Sequence, residues 1–367
     1  MNKIKSIILT FTFIVFVFSV SAACVFSPDN EYSLSERRPL AQFPAGGFET
    51  ITSGEFMSGF EEYSTDQFPL RDSLRAVKAF FSTKVLGKKD NNGLFYADGH
   101  ISKIDDAENN YMMNYASELF AKIIDTYMMD KNAKIYFSIV PDKNAFLAEK
   151  NGYPSIDYHG FIERMRNKTE YMNYIDITSL LSLNDYYTTD THWKQEEITD
   201  IAKHLATEMG TDIKGGYAVN TLDNPFYGVY AGQYALPIRP DSIKYLTNKT
   251  IDNCIVTYYD TGAPVKGEMY NMEKAYSKDP YEMFLSGVAP MITIENPDAD
   301  TDKELVLFRD SFGSSLAPLL AEGYKKITVV DIRYIQSSFI GNFVNFDNCD
   351  VLFLYSTALL NNSLAMK

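Results

Sequence analysis

The stretch ELVLFRDSFGSSLAPLLAEG (Glu304–Gly323), continued by KITVVDI (Lys326–Ile332), decides the fold. Leu305, Val306, Leu307 and Phe308 form an unbroken apolar run. That is the pattern of a strand buried on both faces, because a half-exposed strand alternates apolar with polar. The run ends at Arg309-Asp310-Ser311. A helical segment, Ser314–Gly323, then closes on a glycine stop. Lys326–Ile332 reads as a second buried strand, and DVLFLYS (Asp350–Ser356) as a third. Ile335–Phe346 between them reads as a helix. Buried strands alternating with helices predict a parallel sheet covered on both sides.

The same alternation extends upstream. Met112, Ala116, Leu119, Ile123 and Tyr127 recur at helical spacing, and KIYFSIV (Lys134–Val140) follows as a strand closed by Pro141. Tyr158–Lys168 reads as a helix, YIDI (Tyr174–Ile177) as a short strand, and Gln195–Met209 as a helix stopped by Gly210. The expected fold is α/β: a three-layer α/β/α sandwich around a mostly parallel sheet of about five strands. Residues 211–300, rich in Tyr, Asn, Pro and Gly with short alternating runs, are expected to form a β-rich insertion or cap. Residues 29–105 are polar and turn-rich, and are expected to pack as an N-terminal extension on a core domain of residues 106–367. They hold two helical stretches parted by Pro69 and a hairpin over Asn91–Ile101 with Asp98-Gly99 at its turn.

The N-terminus is of another kind. Lys3 and Lys5 precede IILTFTFIVFVFSVSAACVF (Ile7–Phe26), a largely apolar stretch of twenty residues. Residues 1–28 therefore read as a signal peptide or a membrane anchor. Val20-Ser21-Ala22 fits a cleavage site, and Cys24 is a candidate lipid-attachment cysteine. Each reading puts the body of the protein outside the cytoplasm.

The composition narrows the chemistry. Of 367 residues, 46% are hydrophobic, enough for a sizeable core. Lys and Arg number 34 against 48 Asp and Glu, a net charge of −14, and removing residues 1–23 leaves −16. So acidic a chain is poorly suited to nucleic acid or to an anionic membrane surface, both of which reward clustered Lys and Arg, and a strongly anionic polymer is a less natural substrate. Cys24, Cys254 and Cys349 exclude a disulfide-rich scaffold and a four-cysteine metal centre, although Cys254 and Cys349 are able to pair in an oxidising compartment. There is no Walker loop and no dinucleotide fingerprint, so no cofactor is expected. Asp190 and His192 lack a second histidine at metal-ligand spacing, so no metal is expected either.

Ligands and catalysts in parallel sheets sit at the carboxyl ends of the strands. Ser311 occupies such an end, with its amide at the start of a helix, where a developing oxyanion is stabilised. The local sequence equally allows Asp310 or Ser311 to act only as a helix cap. A serine nucleophile needs a base. The histidines are His100, His159, His192 and His204. His192 lies just before a helix in TDTHW (Thr189–Trp193), with Asp190 two residues earlier, where a tight turn lets the carboxylate address the imidazole. A capped helix start beside a surface histidine accounts for that pair as well.

TDTHW followed later by RDSFGSS (Arg309–Ser315) resembles the DHHW proteins, extracytoplasmic relatives of the alginate O-acetylation proteins in the SGNH hydrolase-like superfamily. EYSLSERRPLAQFP (Glu31–Pro44), GEFMSGFEEYSTDQFPLRDS (Gly54–Ser73) and DIRY (Asp331–Tyr334) are similar to stretches of the same family. The resemblance implies a triad of Ser311 as nucleophile, His192 as general base and Asp190 as its orienting carboxylate. The serine motif comes last, as in the alginate branch. Thr191 stands where the family motif has its first histidine, and Arg309 where the wider superfamily has glycine. Arg333 is a candidate contact for an anionic or acetyl-bearing substrate. The implied activity is O-acetyl transfer to a cell-surface or secreted polysaccharide, with acetylesterase as the hydrolytic variant. A membrane-bound acyltransferase delivering acetyl groups is the implied partner. A glycan-binding surface protein with a vestigial site is the reading from another functional class, since tyrosines are numerous over residues 211–290.

Overall fold

The computed structural model describes residues 2–260 and 262–367, which form two compact units. One comprises residues up to Asn92 together with Ala231–Ile238. It begins with helix α1 (Asn2–Phe26), apolar and long enough to cross a membrane, with none of it buried. Helices α2 (Glu55–Asp66) and α3 (Arg71–Phe80) follow, and a π-helical turn over Phe81–Val85 extends α3. Pro69 lies between α2 and α3, as the sequence predicts.

The other unit, Gly93–Tyr230 with Arg239–Lys367, holds the main sheet. In chain order it contains the hairpin β1 (Leu94–Ala97) and β2 (His100–Lys103), α4 (Asn110–Tyr127), β3 (Lys134–Val140), α5 (Tyr158–Lys168), β4 (Asn173–Tyr174) and α6 (Thr199–Glu208). Then come β5 (Ile255–Tyr258), β6 (Val265–Gly267), β7 (Met291–Glu295), β8 (Glu304–Arg309), α7 (Phe312–Leu320), β9 (Lys326–Val330) and β10 (Asp350–Ser356). Among the described residues the sheet has eight strands in the order β6-β5-β7-β9-β8-β10-β3-β4. The run from β9 to β4 is parallel, and β7, β5 and β6 add to it antiparallel.

The unbroken apolar strands have the physical cause expected of them. Leu305 and Leu307 of β8, with Leu352 and Leu354 of β10, face a core shared with Ile201 and Leu205 of α6 and Leu316 and Leu320 of α7. Val306, Phe308, Val351 and Phe353 point the other way, into a core with Phe120 and Ile123 of α4 and Phe161 and Met165 of α5. Successive residues serve opposite faces, and both faces are dry.

Five expectations need correcting. The sheet is larger than five strands, and only part of residues 211–300 stands apart from it: Ala218–Thr221 and Lys244–Thr247 pair as a separate two-stranded sheet, while the segment from Ile255 onward joins the main one. There β5, β6 and β7 extend the main sheet, because apolar Val256, Tyr258, Ile292 and Ile294 complete its core. Ile335–Phe346 forms only a short 3-10 stretch, Ser337–Asn342, since its serines and Gly341 are poor helix formers. Finally, a 3-10 turn over Gln195–Glu197 precedes α6, and only Asn173–Tyr174 of the expected Tyr174–Ile177 strand pairs.

Candidate active site

The carboxyl edge of the parallel strands gathers the polar residues. Asp142 and Lys143 follow β3, Asp310 and Ser311 follow β8, Asp331 and Arg333 follow β9, and Thr357 follows β10. Asp310 caps α7. Its Oδ1 accepts from Phe312 N–H at 3.1 Å and its Oδ2 from Ser356 N–H at 2.8 Å. Ser311 makes no side-chain cap, which leaves its hydroxyl free for another partner.

That partner is His192. Its Nε2 lies 2.7 Å from Ser311 Oγ, and its Nδ1 lies 2.6 Å from Asp190 Oδ1. With the proton on Nδ1 donated to the carboxylate, Nε2 accepts from the serine hydroxyl. Asp190 is 1% exposed. Its Oδ1 also accepts from His192 N–H at 3.2 Å, and its Oδ2 from Val229 N–H at 2.9 Å. The Ser311 N–H, at the amino end of α7, donates to no other described residue. The arrangement has the elements of acyl transfer: a hydroxyl, a base able to take its proton, a carboxylate orienting that base, and an N–H where negative charge would develop.

The neighbouring sequence explains how this geometry holds. Trp193 is fully buried, and its indole N–H reaches Phe312 O at 3.1 Å and Ser315 Oγ at 2.9 Å, tying the histidine loop to α7. Tyr281 stacks on the His192 ring at 4.0 Å with planes 10° apart, and its hydroxyl sits 2.9 Å from Ser315 Oγ. A parallel ring there fixes the imidazole plane.

Two charged residues that sequence reasoning missed clamp the loop. The Asp241 carboxylate accepts from Thr188 N–H (3.0 Å) and Oγ1 (2.7 Å) and from Thr189 N–H (2.8 Å) and Oγ1 (2.6 Å). The Lys143 ammonium, fully buried, donates to the carbonyls of Tyr187 (3.1 Å), Thr188 (3.4 Å) and Asp190 (2.7 Å). Donors of the loop meet an anion and acceptors meet a cation. Burial pushes the Lys143 ammonium down to about 8, against the pull of Asp142 and Asp190. Lys143 had a faint signal, its place just after a strand that ends at Pro141. Asp241 and Tyr281 had none.

Arg333 lies in an ion-pair cluster. Its Nε and Nη2 donate to Asp331 at 2.9 and 2.6 Å, and Asp331 also pairs with the buried Arg309 at 3.4 Å. Its side chain is 21% exposed. The remaining histidines have other partners: His100 Nδ1 faces Asp98 O at 3.2 Å and His204 Nε2 faces Asp176 O at 3.1 Å, while His159 lines a cavity of about 240 Å³ beside Arg166 and Tyr174. Cys254 and Cys349 are unpaired thiols, each pushed up to about 12 by burial.

No family model matches the chain, and no curated protein matches it. Solved structures do. A DHHW family protein from Eubacterium siraeum superposes with a TM-score of 0.61 at 21% identity, covering 75% of this chain and 94% of that one. PatB1 of Bacillus cereus, solved with a sulfonyl adduct, superposes with a TM-score of 0.57 at 19% identity, covering 73% and 95%. The O-acetyltransferase domain of Pseudomonas putida AlgJ aligns at a TM-score of 0.45 and 12% identity, covering 73% and 92%. The motifs TDTHW and RDSFGSS thus lie in a chain with the fold of a DHHW family protein and of PatB1.

Proposed function

We propose that this protein is an extracytoplasmic acyl-transfer enzyme, an O-acetyltransferase acting on a cell-surface or secreted polysaccharide, with Ser311, His192 and Asp190 as its catalytic residues. The observation that carries the reading is the unbroken hydrogen-bonded line from Ser311 Oγ through the His192 ring to Asp190. His192 takes the Ser311 proton as Oγ attacks the acetyl carbonyl of a donor ester. The Ser311 N–H faces the developing oxyanion, and buried Asp190 stabilises the imidazolium. The donor alcohol leaves with the proton held by His192, giving an acetyl-serine. A sugar hydroxyl, deprotonated by His192, then attacks the acetyl-serine and carries the acetyl group away, restoring Ser311. The fold shared with a DHHW family protein supports the reading, as does the apolar helix α1, which suits export or anchoring. A membrane-bound acyltransferase would supply the acetyl group, and Arg333 would help hold the donor or acceptor.

The test is covalent labelling. PatB1 has been solved with a sulfonyl adduct, and an aryl sulfonyl fluoride is expected to label this protein at Ser311. Ser311→Ala should abolish labelling, and His192→Ala should slow it by roughly a hundredfold or more. Acetate released from an activated acetyl ester should fall in step. If wild-type protein resists the reagent and Ser311→Ala leaves polysaccharide acetate unchanged in cells, the protein is a non-catalytic surface protein. Hydrolysis without transfer to added oligosaccharides would make it an esterase.

A further inference from the structure

Helix α3 is amphipathic in the inverted sense. In a helix at the surface of a soluble domain the apolar stripe faces the core and the charges face water. Here the charged side is packed inward. Arg71 binds Glu36 at 2.6 Å and Asp66 at 3.3 Å. Arg75 binds Glu36 at 3.2 Å and donates to Gly232 O at 3.0 Å. Both arginine side chains are only 16% exposed, and Ala79, on the same side, is the helix's one buried residue. The opposite side carries Leu70, Leu74, Val77, Phe80, Phe81 and Val85, between 49% and 78% exposed. Positions 74, 77 and 81 share one helical face, and the π-helical turn over Phe81–Val85 continues the segment. A contiguous apolar stripe turned to water is a contact surface in waiting.

Its location names the occupant. Helix α1 belongs to the same unit, and its stretch Lys3–Phe26 spans about 36 Å, more than a bilayer core. Lys3 and Lys5 at its start favour the cytoplasmic side, so the chain after Phe26 emerges on the outer face. The emerging chain is pinned at once: Tyr63 OH donates to Asp29 at 2.9 Å, Asn30 N–H to Gln67 Oε1 at 2.9 Å, and Gln67 Nε2 to Asn30 O at 2.9 Å. Gln67 is three residues before Leu70, the start of the stripe. The exposed Lys84 and Lys88 border it at the far end, with stems long enough to cover apolar surface while their ammonium groups reach phosphate. From this we infer that the apolar face of α3 lies in the outer interface of the same bilayer that α1 crosses, holding this unit flat on the membrane. This goes beyond the acyl-transfer reading and does not depend on it.

The experiment uses the full chain in phosphatidylcholine vesicles with a minority of phosphatidylglycerol and a diazirine-bearing phospholipid. Irradiation followed by mass spectrometry maps the lipid adducts. Adducts are expected on residues 70–86 as well as on α1. The variant Leu74→Gln with Val77→Gln and Phe81→Gln should lower adducts on residues 70–86 by at least about tenfold, since each loses the burial of an apolar side chain. Labelling of α1 and the thermal unfolding midpoint should not change, because the three side chains are exposed. If the midpoint does move, Phe81→Gln alone provides the comparison. Adducts confined to α1 would overturn the proposal. So would a concentration-dependent dimer in detergent that the same variant dissolves, since the stripe would then be covered by a second copy.

Discussion

The residue on which most depends without being able to react is Lys143. Its ammonium holds three carbonyls of the loop carrying Asp190 and His192, in a site closed to water. Lys143→Met is expected to slow sulfonyl labelling of Ser311 by roughly tenfold to a hundredfold, because small misplacements of a base are costly in rate. Lys143 also predicts a pH effect of opposite sign on order and stability. An unfolded lysine titrates near 10.5, and this one is pushed down to about 8 by burial. Between those limits the unfolded chain binds more protons, so this group's contribution to stability rises with pH through that window. Losing the proton removes a donor, so the loop loosens as the pH passes about 8 and labelling should slow there. Lys143→Arg, which stays charged, should lose that alkaline limb. Stopped-flow labelling against pH checks both, and an identical limb in the Arg variant would sink the assignment. At this scale the sequence was informative through motifs. Asp190 and His192 are two residues apart, but so are Asp98 and His100, and Asp157 and His159, so it was the resemblance of TDTHW to a family motif that picked out the pair. Asp241 is about fifty residues from its threonines, and Tyr281 is one tyrosine among 26, so neither announced itself.

At the scale of elements, the β8–α7 turn and the histidine loop meet because each is fixed from outside. Asp310 caps α7 and reaches the β10 end, so the side chain next to it is released for chemistry. The loop is held from beneath by Gly228, whose N–H donates to Thr189 Oγ1 at 2.9 Å. A Cβ on Gly228 would sit 2.4 Å from both Asp190 Cβ and Thr189 O, closer than atoms approach. Gly228→Ala is therefore expected to destabilise the protein by about 1–3 kcal/mol and to slow Ser311 labelling, since relief of the clash must move Asp190. Chemical denaturation and labelling rates measured together check this. A variant as stable and as reactive as wild type would mean the loop is looser than it looks. The strands β8, β9 and β10 were legible because uninterrupted apolar runs have one common cause, burial on both faces. Residues 335–346 misled because apolar side chains at helical spacing do not outweigh serines and a glycine in the backbone.

For the whole molecule, the sheet and its two cores carry the stability without covalent help. Cys254 and Cys349 are free thiols, and Cys349 is buried among apolar side chains. The thermal unfolding midpoint should be the same with and without a reductant, by calorimetry, and a fall of several degrees would show a disulfide that this arrangement does not contain. The α/β class and the apolar N-terminal helix were legible from period and composition within short windows, whereas Ser311, His192 and Asp190 were singled out by the resemblance of TDTHW and RDSFGSS to the DHHW proteins and not by local spacing. Only the tertiary structure decided that residues 255–295 belong to the main sheet, that Asp241 and Lys143 clamp the loop, and that α3 turns its apolar face outward. Each of these is a choice of partner between segments far apart in the chain. An alternating pattern shows that a face will be buried, while the packing of the whole chain selects what buries it.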